Sequence, residues 1–186
     1  MLNTLAGIIA SSGGAAATSY ESISTTTVGA GGSAYIDFTS IPSTYQHLQL
    51  RVIQRSTYAA TFVGTDLRFN SDTGANYAFH YVLGGGSSAS AAGYSSMTAI
   101  DSATMPAASI TSGVFGAAVI DILDYANTSK NKTVRVLGGV DTNGDGNIAL
   151  WSGLWNSTSA ITSIRYYAGA GNLAQYTQVA LYGIKG

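Results

Sequence analysis

Apolar and polar residues alternate with a period of two along this chain, in short runs separated by turn-forming clusters, and this pattern limits its fold more than any other feature. In Tyr45-Gln-His-Leu-Gln-Leu-Arg-Val-Ile-Gln-Arg55, Leu48, Leu50 and Val52 share one side of an extended strand, while His47, Gln49, Arg51 and Arg55 share the other. One side therefore enters a core and the other meets water. Comparable runs cover residues 20–28, 33–38, 66–69, 77–83, 114–125, 132–140, 148–155, 161–167 and 178–184. Between them stand clusters such as Gly29-Ala-Gly-Gly32, Asn70-Ser-Asp-Thr-Gly74 and Gly169-Ala-Gly-Asn172, whose residues tolerate the tight backbone of turns. Nine or ten short strands without a long helical pattern predict an all-β chain, a single jelly-roll-like β-sandwich over residues 19–186. Residues 84–112 are rich in Ala and Ser, and read as a long surface loop crossed by one strand at 94–100.

Charge is scarce. Lys and Arg number 8 and Asp and Glu 9, or 9% of 186 residues against about 25% in ordinary soluble domains, and Gly, Ala, Ser and Thr supply half the chain. With a net charge of −1 and no basic run, such a chain is not built to neutralise nucleic-acid phosphates. Its longest apolar stretch, 114–123, includes Asp121 and is about half of what a membrane-spanning helix needs. The absence of Cys removes disulfides, zinc knuckles and thiol nucleophiles.

Residues 1–18 stand apart as an arm, extended or partly helical. Leu2, Leu5, Ile8 and Ile9 recur at helix-like spacing ahead of a small-residue tether at 11–17. No positive residue precedes Arg51, which argues against a secretory signal. So short a segment does not hold a helix alone, and an apolar arm of this kind needs a surface to lie on.

Little in the sequence carries reaction chemistry. Asp121 and Asp124 are three apart on a strand and point to opposite faces, so they are not the carboxylate pair of a glycosidase. Asp121 is expected to meet solvent or a cross-strand Arg, and Asp124 to cap the following turn. Asp141-Thr-Asn-Gly-Asp-Gly-Asn147 opens like a calcium loop, but its twelfth position is Ser152 and not a bidentate Glu. Asn-Gly and Asp-Gly are also strong hairpin signals, and the turn is the expected reading. His47 and His80 lack a neighbouring nucleophile signature, and no phosphate loop is present. No cofactor and no catalytic residue are expected. Trp151 and Trp155 are four apart and share one face of a strand, which suits core or subunit contact better than a sugar-stacking platform.

Four segments in order give the chain a resemblance. Thr39-Ser-Ile-Pro-Ser-Thr-Tyr-Gln-His-Leu-Gln-Leu-Arg51, Leu67-Arg-Phe-Asn-Ser-Asp-Thr-Gly-Ala-Asn-Tyr77, Val119-Ile-Asp-Ile-Leu-Asp-Tyr-Ala-Asn127 and Ala180-Leu-Tyr-Gly-Ile-Lys185 together resemble virion structural proteins of tailed bacteriophages. These are small β-rich head decoration (cement) or tail-fibre-associated proteins. The resemblance implies a jelly-roll-like fold and homotrimers, and it transfers no catalytic residue. The expected function is a non-enzymatic decoration protein, made in the host cytoplasm and placed on the outer face of the head. It would bind the major capsid protein, with Leu2, Leu5, Ile8 and Ile9 as anchors and Trp151 and Trp155 as an aromatic interface. The alternative is a tail-fibre or receptor-binding domain whose 84–112 loop and Trp151/Trp155 face recognise host glycans. No nucleic acid and no membrane enter either reading.

Overall fold

The computed structural model describes residues 19–186. Among these residues the chain forms β1 (Tyr20–Thr27), β2 (Ile36–Phe38), β3 (His47–Gln54), β4 (Phe62–Phe69), β5 (Tyr77–Gly85), β6 (Ser88–Met97), β7 (Ile100–Pro106), β8 (Gly116–Leu123), β9 (Lys132–Asp141), β10 (Gly146–Trp155), β11 (Ile164–Ala168) and β12 (Gln178–Ile184). β1 pairs with β12, β2 with β11, β3 with β8 and β4 with β7, all antiparallel, like the successive rungs of one long nested ribbon. Pairing of β12 with β3 and of β11 with β4 rolls that ribbon into two sheets. This winding is a jelly roll. Two hairpins, β5–β6 and β9–β10, are inserted after β4 and β8 and enlarge one sheet only. The large sheet runs β1-β12-β3-β8-β9-β10-β5-β6 and the small one β2-β11-β4-β7.

The alternation places its apolar side between the sheets. Leu48, Leu50, Ile120, Ile122, Val134 and Val136 from the large sheet meet Leu67, Phe69, Ile100, Met105, Ile164 and Tyr166 from the small one, all essentially without solvent exposure. Each such side chain contributes about 1.5–3 kcal/mol through removal from water. One end of the sandwich is closed by Tyr45, whose ring lies so tightly over Gly183 that a Cβ there would come within 2.3 Å of it. The hydroxyl of buried Tyr125 donates to the Pro42 carbonyl at the same end.

Residues 84–112 depart from expectation. They hold two strands, β6 and β7, and the expected strand at 94–100 spans the break between them. β6 escapes a periodicity test because nearly every residue in it is exposed, so Ser and Ala need not alternate with large apolar residues. β7 is buried, but a register shift opposite Thr65/Asp66 interrupts its period. Arg55, expected on the wet face of β3, instead reaches the carbonyls of Ile110, Thr111 and Val114, and holds the loop after β7.

Candidate functional site

The outward side of the large sheet carries the feature that the charge deficit foreshadowed. Register aligns Val119 of β8 with Leu137 of β9, Leu150 of β10, Val82 of β5 and Ala91 of β6 in one row across the strands. A second row contains Ile53, Ala117, Gly139, Ile148, Gly84 and Ala89. Leu137 and Leu150 are each 51% exposed and Ile148 is 64% exposed, so these side chains face water in the single chain. Ile53, Val119, Leu137 and Ile148 line a shallow concavity of about 1220 Å³. Contiguous apolar surface of this kind marks a contact site more often than it is left to solvent.

Polar residues border the patch on one side. Gln49 donates from Nε2 to Asp121 Oδ1 at 2.8 Å, Arg135 pairs with Asp121 Oδ2 at 2.9 Å, and Arg51 donates to Gln49 Oε1 at 3.1 Å. Asp121 thus meets the cross-strand Arg expected for it. The guanidinium of Arg51 also stacks over Tyr182, 5.0 Å from the ring centre. Asp121 and Arg135 thus pair with each other, Arg51 is held by an amide oxygen and an aromatic ring, and no ion pair lies within the apolar rows themselves.

A second hollow, about 490 Å³, lies beside the small sheet and is lined by Tyr58, Phe62, Phe79, Tyr167, Asp66 and Asp101. Asp66 and Asp101 are cross-strand neighbours on β4 and β7. Burial pushes the Asp66 carboxyl up to about 6, against the opposing pull of Arg68. Burial and then the charge of Asp66 push Asp101 up to about 7. One side chain of the pair therefore keeps a proton near neutral pH, and the two can accept or donate hydrogen bonds to hydroxyls. Sequence reading missed this pair because the two residues lie far apart in the chain and a bulge sets their register. Only the mapping of β7 would have revealed it.

The other expected sites resolve into structure. Asp141-Thr-Asn-Gly-Asp-Gly-Asn147 is the turn of the β9–β10 hairpin. Asp141 Oδ1 accepts the Asn143 amide at 2.7 Å, Asp145 Oδ1 accepts the Gly146 amide at 2.7 Å, and Thr142 N–H donates to the Asp145 carbonyl at 2.8 Å. Both carboxylates serve the backbone of the turn. Among the described residues no group of three or more His, Asp or Glu gathers as a metal site. His47 Nδ1 accepts the amide of Asp124 at 2.9 Å, while the Asp124 carboxylate pairs with Lys130 at 2.7 Å. His80 packs over Gly93 on the outer face of the large sheet.

Trp151 and Trp155 require a correction. They share a face, but that face is the interior, where they are 4% and 3% exposed, and neither is available to a sugar or to a neighbouring subunit. Trp155 stacks on Tyr77 with ring centres 6.3 Å apart, and its indole N–H donates to Asp72 Oδ2 at 2.8 Å. Trp155 also meets Phe69 of the small sheet with ring centres 5.7 Å apart, and Trp151 meets Tyr81 of β5 at 6.2 Å. Leu2, Leu5, Ile8 and Ile9 lie outside the described residues.

The fold and the outer face define a jelly-roll β-sandwich with an exposed apolar sheet surface. No family model, curated protein or solved structure matches the chain, and the resemblance to phage virion proteins is an expectation from four sequence segments. Three of those segments fall on β12, β3 and β8, which are neighbours in the large sheet, and include Tyr45, Gly183 and Tyr125 at the closed end.

Proposed function

We propose that the protein is a non-enzymatic structural component of a tailed-phage particle, a decoration protein that binds the major capsid shell as a symmetric oligomer. The observation that carries this reading is the apolar outer face of the large sheet. Val119, Leu137, Ile148 and Leu150 stay wet in the single chain, on a protein with too few charges to make that face soluble by its surroundings. Docking on a protein shell buries this surface, and the apolar residues of the arm, Leu2, Leu5, Ile8 and Ile9, add anchors. The test is decoration of empty capsids by the full chain. L137D combined with L150D changes two exposed positions, leaves the core intact and lowers capsid binding about tenfold or more. Removal of residues 1–18 lowers it as well. Undiminished decoration by the L137D/L150D chain contradicts the docking face.

A second reading has one observation in its favour. The hollow beside Asp66 and Asp101 combines two carboxyl groups with Tyr58 and Tyr167, a chemistry suited to a sugar ring. On this reading host-glycan recognition belongs there and not at the buried indoles. Glycan-array binding abolished by Tyr58→Ala would establish it.

A further inference from the structure

Among the described residues four strands end the two sheets, and three of them are protected against pairing with another chain. β1 is irregular between Ser22 and Ser24 and carries Glu21, which pairs with Lys185. β2 is only three residues long. β7 carries Asp101 and ends in Pro106. Short length, charges, proline and bulges are the devices by which sheets keep their edges from pairing. β6 has none of them over Ser88–Tyr94, before the irregularity that precedes Met97: it is long, exposed, uncharged and free of proline.

Hairpin geometry fixes which backbone groups β6 offers. Gly86 and Ser87 form a two-residue turn with Gly86 at φ 62°, a position where glycine suits a type II′ turn. The closing pair Gly85–Ser88 is then hydrogen-bonded within the hairpin, and by alternation so are Leu83–Ser90 and Tyr81–Ala92. The amides and carbonyls of Ala89, Ala91 and Gly93 therefore point away from β5, into the space beyond the edge.

We infer that β6 pairs antiparallel with β6 of a second copy of this chain about a two-fold axis at Ala91, joining two large sheets into one. Centred there, Ala91 faces its own copy and Ala89 faces Gly93 of the partner, so every outward group finds a mate in about six hydrogen bonds. A two-fold pairing sets Ala91 opposite its own copy, where a charge would meet its like, and β6 carries no charge to oppose the contact. The same register places Val82 and Ala91 of one copy in line with Ala91 and Val82 of the other. The apolar row through Leu137 and Leu150 then runs unbroken across both copies.

Sedimentation of the full chain tests this. The wild type is expected at twice the 19.0 kDa chain mass. Ala91→Pro removes an outward amide but no bond to β5, and is expected at the single-chain mass with an unchanged β-sheet circular dichroism spectrum. Ala91→Lys and Ala91→Asp are each expected to be monomeric, and to recover the double mass when mixed, which keeps the test decisive even where the proline variant misfolds. A monomeric wild type, or an oligomer whose mass none of these variants changes, overturns the pairing. The inference stands apart from the capsid reading: a trimer insensitive to Ala91→Pro removes the pairing alone, and a dimer that does not decorate capsids removes only that reading.

Discussion

One buried lysine and one partly buried carboxyl group act on the stability of this chain in opposite senses. Lys132 is wholly buried, and its ammonium donates to the carbonyls of Asn127 and Lys130 at 2.7 Å and of Thr158 at 3.1 Å, tying the turn after β8 to the segment after β10. Lys132→Met leaves those acceptors without a charged donor, and is expected to lower the unfolding free energy by about 2–4 kcal/mol in denaturant titration. Asp66 acts in the opposite sense. Its carboxyl binds a proton more tightly in the folded chain than in the unfolded one, so stability is full below the unfolded value near 3.8 and declines as pH rises through about 6. Asp66→Asn removes that penalty. Melting measurements are expected to show the variant more stable by about 1–2 kcal/mol at pH 8 and level with the wild type at pH 4. Equal stability differences at the two pH values would show that the carboxyl titrates normally.

The elements show what the sequence made legible and what it concealed. β3, β8, β9, β10 and β12 announce themselves because each has one face in the core and one outside, and Leu48, Leu50, Ile120, Val134 and Val179 mark the period. β6 leaves no such mark, since neither of its faces is buried in the chain, and β7 hides behind a bulge. The indoles of β10 were assignable to one face, but only the sheet packing tells that this face is inside. The Asp141-Thr-Asn-Gly-Asp-Gly-Asn147 string holds two compatible signals, and the hairpin geometry selects the turn. At Gly146 a Cβ would come within 2.3 Å of the Val140 carbonyl, at φ 149°. Gly146→Ala is accordingly expected to destabilise the hairpin by about 1–3 kcal/mol, measured as a drop in melting temperature. Because Asp141 and Asp145 already accept turn amides, millimolar calcium is expected to leave the melting temperature where it is; a clear rise would restore the loop as a metal site.

At the scale of the whole molecule, the low charge count and the fold have one physical meaning. A jelly roll already buries its inner faces, and the inserted hairpins β5–β6 and β9–β10 widen the large sheet and present a broad outer surface. On that surface Leu137, Leu150 and Ile148 expose half or more of their area, while Arg135 and Asp121 beside them are paired with each other. Such a surface suits a chain that works inside an assembly. Hydroxyl-radical footprinting of the full chain, free and bound to empty capsids, tests this most directly. Val119, Leu137, Ile148 and Leu150 are expected to lose reactivity on binding, while Tyr35, 45% exposed and stacked against Arg165 of the small sheet, keeps its own. Capsid-bound protein in which those four residues react as fast as in the free chain would contradict it.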